Sequence, residues 1–179
     1  MAKSSPSKVF VIGLDGATFS LIDHWIVDGT LTNLASLRAS GIARNLISTI
    51  PTCTPPAWSS IMTGKNPGKH AVFDFWARAE GRYDMVPVNA TFRKSKDVWE
   101  ILSEHHRKVV VINVPLTYPP RKVNGCMISG PLIPEGANDF TYPGFAAQLL
   151  HQNLEEYDSQ PRESYVVGRE KAFIHDVYR

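Results

Sequence analysis

The chain has 179 residues, 43% of them hydrophobic and 20% charged, with a formal net charge of +2 at pH 7. That length sets one domain with a real core as the prior. Lysine and arginine are dispersed rather than gathered on a stripe, which speaks against nucleic-acid binding. The N-terminal apolar run is only about six residues, against the roughly 20 that cross a bilayer, so no membrane span or signal core is expected there. Two cysteines, Cys53 and Cys126, are too few for a disulfide framework or a structural zinc cluster, and they suit a reducing compartment, so the expected location is cytoplasmic.

Val9 to Leu14, VFVIGL, is a continuous apolar run rich in β-branched residues. It predicts a strand buried on both faces, as in a parallel sheet covered by helices. Asp15 then stands just past the carboxyl end of that strand, in the pair Asp15-Gly16. From Leu31 to Ser40, Leu31, Leu34, Ala35 and Leu37 recur at helical spacing, and Gly41 follows where a left-handed cap is expected. Ile42 to Thr49 alternates imperfectly and predicts a second strand.

The segment PAWSSIMTG predicts a short helix ending near Gly64, with Thr54 at the junction before it. Residues 71–92 are rich in aromatics and carry a glycine turn around Glu80 to Arg82. They predict a hairpin excursion with Phe73, Phe75, Trp76 and Tyr83 as its core. SKDVWEILSEHHRK predicts a helix with Ser95 as a candidate cap and Val98, Ile101 and Leu102 on one face. The runs VVVINVP and CMISG predict further strands, and PGFAAQLLHQ a further helix. Strands alternating with helices argue for an α/β fold with a doubly wound, mostly parallel sheet. The stretch from Arg162 to Arg179 has helical character with no closing signal, and the expectation is that the chain is the N-terminal portion of a longer protein.

Two residues stand out as candidates for chemistry. Functional groups of open α/β sheets gather outside the carboxyl ends of the strands, where the Asp15 carboxylate could bind a divalent metal. A turn or capping role is the plainer reading of an isolated Asp-Gly. Thr54, followed by Pro55 and Pro56, is a good helix cap, and position alone favours that role. The same junction could present the hydroxyl to an anion at a helix N-terminus. The two prolines lack N–H groups, however, so a bound phosphate would need other positive charge, and a metal ion is the obvious supply. A divalent ion would also lower the pKa of an otherwise poor nucleophile.

Other motifs fail on spacing. GKNPGKH is one residue short of the phosphate-binding loop and ends in His70 instead of a hydroxyl, and GLDG supplies only Gly13 and Gly16 of the three glycines in the dinucleotide fingerprint. None of the six histidines has metal-site spacing, and surface or packing roles are expected for all of them. Cys53, beside Thr54, reads as a small buried residue.

Taken in order and spacing, VFVIGLDGATF, TLTNLASLRASG and PTCTPPAWSSIMTGKNPGKHAVFDF resemble the type I phosphodiesterase and nucleotide pyrophosphatase family of the alkaline phosphatase superfamily. KVVVINVPLTYPP is similar to the family's microbial phosphohydrolase branch. The resemblance implies an alkaline phosphatase-like catalytic domain of which residues 1–179 are the N-terminal part. It implies that Asp15 is a metal ligand, that Thr54 is both ligand and nucleophile, and that two divalent ions, zinc by resemblance, complete the site with ligands from downstream. The implied reaction is hydrolysis of a small-molecule phosphate ester, a phosphodiester, through a phosphothreonine intermediate, with the chain alone inactive. Nucleotide-specialised members carry a phosphate-contacting asparagine where Ala57 stands, and the usual His-Gly after the helix is His70-Ala71. Phosphomonoesterase, phosphomutase, sulfatase and phosphonate hydrolase activities of the same superfamily are the alternatives, with a non-catalytic binding domain on the same fold as the rival of another class. Oligomeric state is not fixed by the sequence.

Overall fold

The computed structural model describes residues 8–153 and Val167. Their contacts divide the chain into two units, Met1–Ile47 and Ser48–Arg179. Apart from Val167, the C-terminal stretch expected to be helical lies outside the described residues.

In the first unit, residues 8–14 lead into a turn at Asp15-Gly16, with Gly16 at φ 67°, and then into α1 (Phe19–Val27) and α2 (Thr32–Ser40). Arg38 of α2 pairs with Asp23 of α1 and lies 5.3 Å from the centroid of the Phe19 ring, which holds the two helices together. Neither helix contains a buried residue. The strands expected at Val9 to Leu14 and at Ile42 to Thr49 do not form, and Phe10 is 87% exposed. A strand exists only as one side of a hydrogen-bonded ladder, and among the described residues no segment pairs with either run. Gly41 is extended (φ −124°, ψ −157°) rather than left-handed, because the chain leaves α2 directly without the reversal that a left-handed residue makes.

The second unit is a mixed α/β arrangement. It begins with α3 (Thr54–Thr63) and α4 (Pro67–His70). Gly64 closes α3, near where this helix is expected to end, in the left-handed conformation at φ 64°, and its amide bonds the Ser60 carbonyl at 2.8 Å. Strands β1 (Trp76–Arg78) and β2 (Met85–Pro87) pair antiparallel as the hairpin predicted within residues 71–92. Its aromatics are not a core. Phe73, Phe75, Trp76 and Tyr83 are all exposed, since two three-residue strands cannot enclose four rings. The buried cluster beside the hairpin is aliphatic instead: Val72, Val88 and Leu116, with Ala77 and Phe92 against them.

A 3-10 turn at Ala90–Phe92 leads to α5 (Val98–Glu104). Asp97, not Ser95, caps this helix. The sequence Asp-Val-Trp-Glu forms a capping box in which Glu100 Oε2 accepts from the Asp97 amide at 2.8 Å. Val98, Ile101 and Leu102 remain substantially exposed, and Trp99 is the residue that α5 buries. Strand β3 (Val109–Val114) follows and pairs parallel with β4 (Gly125–Ser129), which pairs antiparallel with β5 (Thr141–Tyr142). The close approach of β3 and β4 demands glycine at both ends of β4: a Cβ on Gly125 would lie 1.9 Å from the Val109 carbonyl oxygen, and one on Gly130 2.3 Å from that of Val114. Last comes α6 (Phe145–Asn153).

Adjacent residues of β4 enter different clusters, as the two-residue period of a strand requires. Met127 joins Met62, Trp99, Val109, Val111 and Val123, while Ile128 joins Phe140 and Ala147. Side chains from α3 and α5 therefore fill one cluster and side chains from α6 the other. The described strands make one two-stranded and one three-stranded sheet, and the doubly wound arrangement is not established by them. No helix among the described residues is long and apolar enough to cross a membrane.

Candidate active site

The approach to α3 is tied down locally. Thr49 Oγ1 donates to the Pro51 carbonyl at 2.9 Å and Thr52 Oγ1 to the Thr49 carbonyl at 3.2 Å, so the chain turns sharply just before the helix. Cys53 is extended (φ −152°, ψ 155°), and its carbonyl accepts the Ala57 amide at 3.1 Å. This first i to i−4 bond makes Cys53 the cap residue and Thr54 the first helical residue. The capping role expected of Thr54 is thereby corrected. No side chain caps α3, and the Thr54 hydroxyl at its half-buried first position is not committed to that task. Cys53 is half-buried rather than fully enclosed.

Pro55 and Pro56 occupy the second and third helical positions and are buried. They preset the helical φ at positions whose N–H groups would have no intrahelical partner, and they remove the amides an anion would otherwise use. Further along the helix, Met62 and Trp58 enter the cluster that holds Val109, Val111 and Val114 of β3. The core thus holds α3 at Trp58 and Met62.

The helix is also held by His70, for which sequence reasoning expected no more than a surface or packing role. It is fully buried. Its Nδ1 accepts the Val72 amide at 3.2 Å, so in the neutral ring the proton sits on Nε2, which lies 3.0 Å from Ser60 Oγ on α3. Burial lowers the pKa of the ring below its usual 6.5, the charge of Arg93 lowers it further, and a hydrogen bond to the Pro56 carbonyl opposes both. With Nε2 as donor, His70 cannot take a proton from Ser60, so the pair is no nucleophile-base dyad.

Behind His70 lies a rigid polar platform. The Lys94 amide donates to the His70 carbonyl at 3.0 Å. Arg93 grips Asp97 through two 2.6 Å contacts, with both side chains 1% exposed, and its third nitrogen reaches the Leu116 carbonyl at 3.0 Å. Burial pushes the Asp97 carboxyl upward while the guanidinium pulls it back. No periodicity marks these residues. The nearest legible signal is the capping-box spacing that places Asp97 at a helix start.

Asp15 is exposed at its turn in the first unit, and Thr54 belongs to the second. Among the described residues no three His, Cys, Asp or Glu side chains gather into a group that could hold a metal ion. Oxygen donors such as Asp15 and Thr54 suit a divalent cation, but the described residues alone do not complete such a site.

Neither the curated proteins nor the solved structures gave a match to this chain. The family model described as type I phosphodiesterase / nucleotide pyrophosphatase matches residues 9–169. That span takes in the Asp15 turn, the Thr54 helix and the β3–β4 pair, and the chain belongs to the type I phosphodiesterase / nucleotide pyrophosphatase family.

Proposed function

We infer that this chain carries the nucleophile of a metal-dependent phosphohydrolase acting on phosphodiesters, with Thr54 as the attacking residue. One observation carries the reading: in a chain of this family, Thr54 opens a helix whose cap is Cys53, so its hydroxyl is left to other work. Thr54 Oγ1 would attack phosphorus in line, forming the Oγ1–P bond as the bond to the leaving alcohol breaks, and water would then hydrolyse the phosphothreonine. Asp15 and Thr54 are the residues proposed to hold metal, zinc in the first instance, with a second divalent ion and further ligands from outside the described residues. Such an ion supplies a lowered hydroxyl pKa and a counter-charge for the phosphoryl oxygens.

The architecture proposed is the alkaline phosphatase-like doubly wound sheet. Adjacent β4 residues entering separate clusters support it. On this reading the 179-residue chain is inactive alone. Ala57, a methyl group one turn into α3, offers no polar contact to phosphate and favours a simpler diester over a nucleotide. Two free cysteines fit a cytoplasmic setting. Thr54→Ala in the natural gene product is expected to lower hydrolysis of an aryl phosphodiester by about a thousandfold or more. An unchanged rate overturns the assignment.

A further inference from the structure

The geometry points to His70 as the positioning residue for α3: its Nε2–H grips Ser60 and so fixes where the helix presents Thr54. The role in catalysis rests on Thr54 being the nucleophile, whereas the grip on α3 does not.

The first turn of α3 needs an external hold. Pro55 and Pro56 donate nothing, and no side chain caps the helix, so two means of securing a helix start are absent. The first amide after the prolines, that of Ala57, bonds Cys53 at 3.1 Å. His70 supplies a constraint from outside the helix, at Ser60, six residues beyond Thr54.

His70 can act as a fixed point because its own position is set three times over. Its ring accepts the Val72 amide, its carbonyl accepts the Lys94 amide, and the adjoining Lys69 carbonyl accepts from Ser95 Oγ at 3.4 Å. Arg93, next to Lys94, is locked to Asp97 at the start of α5 and to the Leu116 carbonyl beyond β3. The hold on α3 is thus referred to the buried centre of the unit. Displacing a reacting group by about 1 Å can cost on the order of a hundredfold in rate, so a constraint on the helix that presents Thr54 acts on turnover without touching substrate.

Two conservative variants separate the ring's two functions. The side-chain nitrogen of glutamine overlays Nε2 and keeps the donor toward α3, while the side-chain oxygen of asparagine overlays Nδ1 and keeps only the acceptor for Val72. Ser60→Ala removes the α3 partner and leaves His70 in place. Hydrogen exchange on the 179-residue chain tests the grip without metal or activity. Amides Ala57 to Ser59 are expected to lose protection by about tenfold in His70→Asn and Ser60→Ala but to stay near wild type in His70→Gln. In the natural gene product, kcat for an aryl phosphodiester should fall by about tenfold in His70→Asn with KM nearly unchanged, and His70→Gln should recover most of the loss. Equal loss of protection in His70→Gln and His70→Asn, or unchanged protection in both His70→Asn and Ser60→Ala, overturns the proposal. So does a rise in KM at constant kcat. If exchange behaves as expected while Thr54→Ala remains fully active, the hold on α3 stands and the nucleophile assignment alone fails.

Discussion

A histidine sealed inside a protein carries a pH dependence whose sign follows from its neighbours. His70 is kept neutral first by burial and then by the nearby Arg93, so its folded pKa lies below the usual 6.5. The unfolded chain therefore binds a proton that the folded chain refuses as pH falls below about 6.5. The contribution of this residue to stability is fully present above that value and is lost progressively down to the depressed folded pKa. Urea titrations at a series of pH values are expected to show stability rising between mildly acidic and neutral pH, with a shallower slope in His70→Gln. An identical slope in the two proteins would show that other groups govern the acid limb.

At the scale of elements, the Arg93–Asp97 pair joins the start of α5 to the segment beyond β3. Both side chains are buried, so the desolvation cost of each charge is offset chiefly by the other. Arg93→Met strands the Asp97 carboxylate in the interior and should cost about 3–5 kcal/mol, whereas the double variant Arg93→Met with Asp97→Leu should recover much of that loss. Denaturant midpoints of the single and double variants check this, and equal destabilisation would mean that the apolar replacements fail to pack. The elements themselves differ in how readily the sequence reveals them. Helices α2, α3 and α5 follow from apolar spacing and from Gly64, because a helix satisfies its backbone within its own residues. Val9 to Leu14 has the composition of a strand yet forms none, because a ladder requires a second segment that local sequence cannot name. Strand β5 escaped notice for the same reason: Thr141-Tyr142 is a strand only through its pairing with Ile128 and Met127.

For the whole molecule, the donor count bears on activity. Asp15 and Thr54 are two candidate ligands, and the described residues gather no cluster of three. On the proposed reading, the 179-residue chain dialysed after zinc loading should retain fewer than two equivalents of metal by elemental analysis and should hydrolyse an aryl phosphodiester at background rate. Two tightly held ions with turnover would place the full ligand set within these residues. The sequence by itself determined the family, through the order and spacing of its Asp15 and Thr54 segments, together with the helix opening at Thr54, because motif order and helical period are properties of the linear chain. Only the tertiary structure decided that Cys53 rather than Thr54 occupies the cap, that His70 faces α3, and that Arg93 and Asp97 form its support. The cap turns on one i to i−4 bond whose start the local sequence leaves open, whereas the anchoring of His70 and Arg93 depends on bonds to Lys94 and Leu116, partners more than twenty residues away that become visible only when the chain is folded.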